Sequence, residues 1–435
     1  LYLLLGRVPW KQMLLLLSVF VLCSGPIYAT YSIESVLVFL RAYFSSSSSG
    51  AIVWPGVMEL IAEAQMFEPL VVLKRIHELL PMALAGAAGV LYLLLRYPRR
   101  MLPLVPMLLV GVWSLFGPMR FAMYLAPLIG TGLGVLIELS VRKIMTWLRA
   151  PQMVHVPVAV GVMLVVFFTT TSFTAYDRQP KPIVPADYVR AILDIKKMVP
   201  PHAAMLTWWD NGYLLMDVGD FSTYHDGALH GGLRTTMIGK ALFSSRQEEL
   251  FALISYLEDH GFESLEEWIA QGQVSGNELE RRVFSYPGTF TGDHSYLLYS
   301  EDMIRKFGSI TEAGAWDFTR GKSDWVFYER WNCTSRIGNL FQCKEGTIDL
   351  NRGVLTDGIV DVPLNAVLTV DNGSITYRHD FRTDGTHYLQ MIYRDSQPYQ
   401  VQVVENRLFE TNFNQQYVLG NYDRDYFEEI YNNFP

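Results

Sequence analysis

The chain has 435 residues and a formal net charge of −8; half of its residues are hydrophobic and 18% are charged. This composition is too apolar for one ordinary soluble domain, and the acidic balance gives no reason to expect a nucleic-acid partner. The first residue is leucine, and the opening LYLLLGR has the character of the end of an earlier apolar segment. We therefore expect the carboxyl-terminal portion of a longer protein, or a chain whose front half is not represented.

Five long apolar runs precede residue 174, at residues 13–30, 81–95, 101–118, 121–141 and 153–173. Each is near the ~20 residues that a helix needs to cross a bilayer. The runs show no polar face to water, which argues against the helices of a soluble core. The sequence therefore predicts a polytopic α-helical membrane domain over residues 1–173, with about five helices in contact with membrane lipid.

Basic residues alternate with these runs and orient them. The clusters are Arg7 and Lys11 before the first run, Arg96, Arg99 and Arg100 after the second, and Arg142, Lys143 and Arg149 after the fourth. Cytoplasmic loops of membrane proteins carry an excess of Lys and Arg, so we expect these clusters in the cytoplasm. The loop at about 31–80 and everything after Thr174 would then lie on the periplasmic or extracellular side.

The outer loop at 31–80 combines a flexible part with an ordered part. It contains the low-complexity tract FSSSSSG, followed by MELIAEAQMFEPLVVLKRIHELL, whose apolar periodicity predicts short helices. A loop of this kind is typical of a segment that closes over a site.

The sequence after Thr174 has the pattern of a water-soluble part. PADYVRAILDIKKMV and SRQEELFALISYLEDHG have helical spacing, the second with Ser245 as N-cap and Gly261 as its stop. From about residue 323 the sequence alternates, and AVLTVDNGSITYRHDF predicts a hairpin with Asn372 and Gly373 at its turn. We expect a mixed α/β domain at 174–322 and a β-rich part at 323–435.

Two of the three cysteines lie on the predicted outer side. Cys333 and Cys343 could close a small disulfide loop in an oxidising compartment. Cys23 lies within the first apolar run, where we expect a small packing residue.

The stretch LTWWDNGYLLMD gathers polar and aromatic groups between apolar flanks. Each indole N–H of Trp208 and Trp209 needs an acceptor when it is buried, and Asp210 supplies one nearby. Gly212 permits a close backbone approach. A tight turn that packs its own rings and a polar recognition pocket both fit this composition.

Three other positions are candidates, each with a structural alternative. Glu63 in LIAEAQ is a carboxylate in an apolar segment, and its alternative is a solvated loop glutamate. Arg120 in GPMRFAMY fits a phosphate-binding cation or an interfacial arginine that snorkels. YHDGALHGG places Asp226 and His230 in a glycine-bearing loop; a loop histidine near a carboxylate fits a metal ligand, although a lone histidine is usually structural.

Together these motifs resemble the catalytic subunit of oligosaccharyltransferase in its bacterial single-subunit form. WWDNG is similar to the family's tryptophan–tryptophan–aspartate signature, and YHDGALH to its aspartate–glycine–x–x–histidine continuation. LIAE resembles its external-loop motif, MRFAMY its arginine-bearing helix start, and VLGNYDRDYFEEIY the closing segment of bacterial members. The resemblance spans almost the whole chain and implies a membrane domain of the GT-C type.

The family's activity is the transfer of a preassembled glycan from a polyprenyl-pyrophosphate lipid to the asparagine amide of Asn-x-Ser/Thr. By resemblance, Trp208, Trp209 and Asp210 would bind the Ser or Thr hydroxyl of the acceptor polypeptide. Two N–H donors and one carboxylate match the one donor and two acceptor sites of a hydroxyl. An acceptor without that hydroxyl would leave buried groups unpaired.

The resemblance also implies the roles of the other candidates. Glu63 would close the loop over the peptide and help to hold a divalent metal, Mn²⁺ or Mg²⁺, with His230 in the same environment. Arg120 would bind the pyrophosphate of the lipid-linked oligosaccharide. Arg75 would pair with an acidic residue two positions before the acceptor asparagine. Met303 would pack on the threonine methyl group.

Three departures from the family pattern bear on these assignments. Phe307 stands where the motif around Met303 has an aliphatic residue, and Asn211 replaces a tyrosine, which we expect to loosen the packing behind the pocket. The other catalytic carboxylates of the family belong to an amino-terminal membrane half that this sequence lacks, so the chain would be an incomplete catalyst.

Two other functions remain open at this point. One is a lipid-linked-sugar transferase that acts on a hydroxyl or a lipid, which would need a different acceptor pocket. The other is a non-catalytic, membrane-anchored peptide-binding protein. Aspartates in the first outer loop of an upstream sequence would favour the oligosaccharyltransferase.

Overall fold

The computed structural model describes residues 14–15, 18–19, 48–49, 52–56, 67–170, 184–272, 274–288, 294–324, 326–356, 358, 360–381, 384–394 and 397–434. The chain divides into two compact units. The first unit comprises Leu1–Tyr43 and Ile61–Lys181, and the second comprises Phe44–Leu60 and Pro182–Pro435.

The first unit is helical wherever it is described in continuous stretches. Its helices are α1 (Pro69–Ile76), α2 (Leu80–Arg96), α3 (Pro98–Met101), α4 (Val105–Trp113), α5 (Ala122–Trp147) and α6 (His155–Thr170). Short 3₁₀ turns cover Leu102–Leu104, Met119–Phe121 and Gln152–Val154.

Two or three of the five expected spans are present within the described part of this unit. Met119–Trp147 and Gln152–Thr169 are each long and apolar enough to cross a membrane, and α1 with α2, bent by 90°, would make a third. The expected run at 101–118 is not one helix: it is divided among α3, a 3₁₀ turn and α4. Pro103 and Pro106 explain the break, because proline lacks an amide donor. Most of the run at 13–30 lies outside the described residues.

Helices α2 and α5 meet through glycines. A Cβ atom on Gly89 would collide with the carbonyl oxygen of Gly132, and one on Gly86 would collide with the carbonyl oxygen of Ile129. Small residues let apolar helices approach to backbone contact, which gains van der Waals energy where hydrophobic burial does not distinguish lipid from protein.

The second unit contains eight helices and two larger sheets among its described residues. Its helices are α7 (Ala186–Ile195), α8 (Gly212–Leu214), α9 (Gly232–Phe243), α10 (Gln247–His260), α11 (Glu263–Ala270), α12 (Gly276–Phe284), α13 (Glu301–Gly314) and α14 (Asn406–Phe409). The expected helix in SRQEELFALISYLEDHG is α10, and it ends at Gly261, whose φ of 66° suits a helix stop.

The predicted N-cap of α10 is wrong by one residue. The helix begins after Arg246 rather than Ser245, and the backbone N–H of Arg246 donates to the hydroxyl of Ser244 at 3.1 Å. The Ser244 hydroxyl in turn donates to Glu249 in the first turn of the helix. The neighbouring serine therefore supplies the hydroxyl that the sequence pattern assigned to Ser245.

A small parallel sheet lies in the first part of the second unit. Its strands are β3 (Ala204–Leu206), β4 (Ser222–Thr223) and β5 (Ser295–Leu297), in the order β4-β3-β5. Both neighbours pair parallel to the central strand β3. The carboxyl ends of all three strands therefore meet at one edge.

The carboxyl-terminal part is built on a nine-stranded sheet, which agrees with the expected β-rich composition. Its strands are β6 (Glu329–Trp331), β7 (Cys333–Ile337), β8 (Leu340–Cys343), β9 (Thr347–Asp349), β10 (Val354–Thr356), β11 (Asp361–Asp371), β12 (Ser374–Asp380), β13 (His387–Arg394) and β14 (Gln397–Glu405). Their order is β6-β14-β13-β11-β10-β9-β8-β7, and β12 pairs with β11.

Two local expectations for this sheet are confirmed. Strands β11 and β12 form an antiparallel hairpin, and Asn372 and Gly373 at its turn have φ values of 50° and 67°. Positive φ at both central residues is the geometry of the tight hairpin turns that Asn-Gly favours. A disulfide joins Cys333 and Cys343 across the paired strands β7 and β8.

A short segment of the expected outer loop belongs to the second unit. Strands β1 (Ser48–Ser49) and β2 (Ile52–Val53) form a small hairpin. The indole of Trp316 donates to the carbonyl of Val53 at 2.7 Å, and the ring of Trp54 packs edge-on against Phe318 at 5.2 Å. Ile52 and Trp54 are buried in the core that also contains Trp208 and Met303.

Candidate functional site

The motifs singled out in the sequence meet at the carboxyl edge of the small parallel sheet. The WWDNG motif follows β3, the HDGALH loop follows β4, and Ser300 with helix α13 follows β5. Three loops that leave adjacent parallel strands at the same edge lie side by side, which is where open α/β sheets place their ligands. The central position of β3 puts WWDNG between the other two.

The two tryptophans have different surroundings. Trp208 is buried in the core and packs edge-on against His225, with ring centres 5.7 Å apart. Trp209 is half-buried and stacks on His230, with centres 4.9 Å apart and planes at 27°. The Nε1 atom of Trp209 is buried, and none of the described residues accepts its hydrogen. A buried indole N–H without an acceptor is a donor that a ligand oxygen could satisfy.

Asp210 is held by a lysine that the sequence analysis did not select. The Lys306 ammonium lies 2.9 Å from a carboxylate oxygen of Asp210 and 2.5 Å from one of Asp302. Burial lowers the pKa of Lys306, but the hydrogen bonds to Asp302 and Asp210 outweigh it, and the net shift is upward. Lys306 therefore stays protonated, and the Asp210 side chain, 22% exposed, keeps its charge balanced at the surface.

Asn211 connects the motif to the loop after β5. It is buried, and its amide nitrogen donates to Thr207 at 3.3 Å and to the Ser300 hydroxyl at 3.1 Å. The looser packing that we expect from the change of tyrosine to Asn211 stays a prediction, and the amide makes two hydrogen bonds at this position. Both N–H groups of this buried amide therefore have an acceptor.

Met303 lies beneath the motif on α13. Its sulfur is 4.0 Å from the Thr207 hydroxyl, which donates to it, and its side chain is fully buried. Phe307, one turn later, is also buried and stacks on Phe413 with ring centres 4.7 Å apart. The aromatic replacement thus fills the core behind the site, and the contact of Met303 with an acceptor threonine stays a prediction.

The HDGALH loop packs directly on the WWDNG turn. A Cβ atom on Gly212 would lie 2.5 Å from the Cβ of Asp226 and 2.7 Å from the His225 carbonyl oxygen. Only glycine permits this approach without displacement of the backbone. Asp226 itself accepts from the backbone N–H groups of Ala228 and Leu229, at 2.7 and 3.0 Å, and so shapes the loop.

His225 and His230 have opposite characters. His225 is buried, its Nε2 lies 2.8 Å from the Thr235 hydroxyl, and burial, with the neighbouring His230 and Arg234 charges, lowers its pKa to about 3. His225 is therefore a neutral packing residue. His230 is half-buried, and its Nδ1 lies 2.5 Å from the Gly227 carbonyl, which requires Nδ1 to carry the hydrogen.

The remaining candidates belong to the first unit or lie outside the described residues. Arg75 is exposed in the last turn of α1, with its guanidinium 5.2 Å from the centre of the Phe67 ring. Arg120 is half-buried in the 3₁₀ turn that leads into α5, 5.6 Å from the centre of the Phe121 ring. Glu63 lies outside the described residues.

Known proteins with similar sequences carry one name. Two undecaprenyl-diphosphooligosaccharide–protein glycotransferases, from Campylobacter jejuni serotype O:2 and from C. jejuni strain RM1221, are 21% and 22% identical to the chain. The alignments run over 457 and 452 residues, which is 95% of this chain and 60% of each relative. No family model matches the chain.

The chain is similar to these glycotransferases at low identity. It spans about 60% of their length. Its relatives are glycosyltransferases by name, and both are bacterial. These similarities support the resemblance of the motifs, at low identity.

Two solved structures are similar to this chain. The C-terminal domain of C. jejuni pglb has 16% identity and a TM-score of 0.43, and the match covers 57% of this chain and 96% of that domain. The archaeal oligosaccharyltransferase AglB from Archaeoglobus fulgidus, in complex with an inhibitory peptide and a dolichol-phosphate, has 13% identity and a TM-score of 0.41. That match covers 92% of this chain and 42% of AglB.

The described residues of this chain include one that fits a ligand of a divalent metal, but they do not provide a complete set of metal ligands. Within the described ranges, no group of three or more His, Cys, Asp or Glu side chains could hold an ion. His230 fits a ligand role, because an imidazole that carries its hydrogen on Nδ1 has a lone pair on Nε2. The Asp226 oxygen that binds backbone N–H groups is committed to the loop.

Sequence reasoning missed Lys306, Asp302 and Ser300, which hold the motif from α13. Their contacts with the motif join residues far apart in the chain, so no local sequence pattern predicts these contacts. One signal was available: Asp302 and Lys306 have opposite charges and lie four positions apart, on the same face of α13. A charged pair at that spacing, beside a buried methionine, indicates a partner from elsewhere in the fold.

Proposed function

We propose that the protein containing this chain is an oligosaccharyltransferase. It would transfer a preassembled glycan from a polyprenyl-pyrophosphate lipid to the asparagine amide of Asn-x-Ser/Thr in an acceptor polypeptide. The observation that carries the proposal is the pairing, at one sheet edge, of a buried Trp209 N–H that lacks an acceptor among the described residues with the ion-paired carboxylate of Asp210. Homology to named glycotransferases supports it.

The chemistry of this pair suits a hydroxyl group. A Ser or Thr hydroxyl would donate its hydrogen to Asp210 and accept the Trp209 N–H, so that both partners of the site are satisfied at once. Trp208 would contribute its ring, which is already fixed in the core. A residue with no hydroxyl would leave the indole N–H unpaired and would also bury part of the carboxylate, and this is the physical basis of sequon selection.

Arg120, Glu63 and His230 would each serve the transfer reaction. Arg120 would hold the pyrophosphate through charge-assisted hydrogen bonds, as a guanidinium does with phosphate oxygens. Glu63 and His230 would help to hold a divalent cation, Mn²⁺ or Mg²⁺, which when bound would offset charge on the departing pyrophosphate. Glu63 would also close its loop over the peptide.

The side of the membrane follows from the charge pattern. With the basic clusters in the cytoplasm, the second unit and the loop around Glu63 would be periplasmic or extracellular. A disulfide between Cys333 and Cys343 is compatible with that side, because structural disulfides persist in oxidising compartments.

The two other functions have less support. A transferase that acts on a lipid or sugar hydroxyl would need a different acceptor pocket. A non-catalytic peptide-binding protein would need the pocket but neither Arg120 nor Glu63. Mutation of Arg120 or Glu63 would therefore affect a transferase but not a non-catalytic peptide-binding protein.

The experiment is a transfer assay with the whole protein, a lipid-linked oligosaccharide and a fluorescent Asn-x-Thr peptide, in the presence of Mn²⁺. We expect glycopeptide with the wild-type protein, and greatly reduced product but unchanged peptide affinity with Arg120→Ala. Glu63→Gln, which removes a charge without changing shape, should also greatly reduce product. Peptide binding without any product from the wild-type protein would indicate the non-catalytic alternative, and product from an alcohol acceptor alone would indicate the other transferase.

A further inference from the structure

A large cleft begins at Asp210 and is lined entirely by residues of the second unit. Its volume is about 1260 Å³. Asp210 and Lys306 line one part of it, and Tyr188, Tyr399 and Arg394 line others. We call it the Asp210 cleft. Residues 424–434 near the carboxyl terminus also contribute to its wall.

A series of contacts leads from Asp210 along this cleft. Lys306 bridges Asp210 to Asp302, and Glu301 directly precedes Asp302 in the chain. Glu301 accepts the Tyr399 hydroxyl and lies 4.0 Å from Arg394. The path from the hydroxyl-binding carboxylate to the far side chains is therefore continuous.

The outer part of the cleft offers both aromatic and charged contacts. The guanidinium of Arg394 lies over the Tyr399 ring, 4.2 Å from its centre. Tyr188 lies in the cleft with its hydroxyl buried. Rings with polar tips bind polypeptide well, because they cover side chains and also bond to main-chain amides.

We infer that the Asp210 cleft binds the stretch of acceptor polypeptide that follows the hydroxyl residue. This inference rests on the proposed function, in which Asp210 holds the Ser or Thr. The asparagine lies two positions before that residue, and the side chains proposed for the reaction at its amide are Arg120, for the pyrophosphate, and Glu63, for the metal. The residues after the hydroxyl have no assigned contact, and the cleft continues from the carboxylate that holds it.

Continuity favours polypeptide over glycan as the occupant. The acceptor residues after the Ser or Thr are covalently joined to it, so they leave the hydroxyl pocket beside Asp210. A glycan has no such bond to the hydroxyl residue. Charges of both signs, from Glu301 and Asp302 to Arg394 and Lys306, suit an extended main chain with mixed side chains. Acceptor residues after the hydroxyl residue would then raise the affinity of the peptide above that of the sequon alone.

The test compares two fluorescent peptides on the whole protein by anisotropy. One ends at the threonine of Asn-x-Thr, and the other continues for several residues that include an aromatic side chain. The wild-type protein should bind the extended peptide about fivefold more tightly, the size of one or two partly exposed aromatic contacts. Tyr399→Ala and Arg394→Ala should each reduce that gain while leaving the short peptide unaffected.

Tyr377→Ala is the matched control. Tyr377 is an exposed tyrosine on β12 of the same sheet and does not line the cleft, so both peptides should bind as in the wild type. An extension that adds no affinity, or a gain that survives both cleft variants, would overturn the inference. So would a change in KM for the lipid-linked oligosaccharide, with unchanged peptide affinity, in Tyr399→Ala.

Failure of the proposed function gives a different result. A short peptide with valine in place of threonine distinguishes failure of the proposed function from failure of the cleft inference alone. If the short peptide keeps its preference for threonine while the extension adds nothing, only the cleft inference falls. If threonine and valine bind equally, the hydroxyl pocket falls and the cleft inference falls with it.

Discussion

The Lys306 ammonium forms a 2.9 Å ion pair with the Asp210 carboxylate and is shared with Asp302. One cation from α13 thus holds the central carboxylate of the WWDNG motif in place before any ligand arrives. A fixed carboxylate loses less conformational entropy when a hydroxyl binds than a mobile one would. Lys306 is therefore a positioning residue for the proposed hydroxyl pocket.

Replacement of Lys306 by methionine should weaken acceptor binding. Without the ammonium, the carboxylates of Asp210 and Asp302 lose the cation that they share and repel each other. We expect the affinity for an Asn-x-Thr peptide to fall by about tenfold at neutral pH, the effect of removing one partner of a charged hydrogen bond. Lys306→Arg keeps the cation and should retain most of the affinity. Equal losses in the two variants would contradict the charge argument.

A methyl group at Gly212 should disturb the contact between WWDNG and the HDGALH loop. Gly212→Ala would place its Cβ 2.5 Å from Asp226, against atoms close to the backbone. We expect a loss of about 1–3 kcal/mol in the free energy of unfolding, the usual cost of overpacking. Gly227→Ala is the control, because its Cβ would meet only the ring of Tyr213, which is 55% exposed and free to swing aside. Equal melting of the two variants would argue against the close approach.

The buried His225 makes stability depend on pH in the weakly acidic range. Its pKa falls from an ordinary value of 6.5 to about 3 in the folded protein, so the unfolded chain binds a proton that the folded chain excludes. The contribution of His225 to stability is complete above pH 6.5 and is lost as the pH falls toward 3, by at most about 1.4 kcal/mol per pH unit.

The comparison of wild type with His225→Gln isolates this effect from the carboxylates. Denaturant unfolding followed by tryptophan fluorescence at neutral pH and at about pH 5 should show a steeper loss in the wild type. Parallel losses in the two proteins would show that His225 is not buried in its neutral form.

Arg75 should bias acceptor choice without dictating it. Its side chain is exposed in the last turn of α1, where it could meet an Asp or Glu two positions before the acceptor asparagine. A partly exposed ion pair contributes ~1 kcal/mol, or about a fivefold preference over alanine at that position. Arg75→Ala should abolish the preference and spare the neutral peptide, whereas Lys74→Ala should change neither. An acidic preference that persists in Arg75→Ala would place the selectivity elsewhere.

Local patterns in the sequence predicted the elements that depend on local chemistry. The Asn372-Gly373 turn and the Gly261 helix stop are backbone conformations that particular residue types prefer, and both are present. The WWDNG and HDGALH motifs also pack together at one edge. Each of these two motifs is formed by a few consecutive residues, so a local pattern in the sequence can identify it.

The parts that were missed depend on long-range contacts. Strands β3, β4 and β5 have two or three residues each, too few for an alternating pattern to identify them, yet they bring the motifs together. Lys306 reaches Asp210 only because β5 and β3 are neighbours. The hydrogen bond from Trp316 to Val53, in the expected outer loop, is another long-range contact of the second unit that no local pattern predicts.

The most direct test of the hydroxyl pocket is a double-mutant cycle that pairs the peptides Asn-x-Thr and Asn-x-Val with the wild-type protein and Asp210→Ala. Valine has the shape of threonine without the hydroxyl, so the difference between the peptides isolates that group. We predict a preference for threonine of about 1–3 kcal/mol in the wild type, which Asp210→Ala largely removes by weakening only the threonine peptide. Equal binding of the two peptides by the wild type, or an undiminished preference in Asp210→Ala, would contradict hydroxyl recognition at this site.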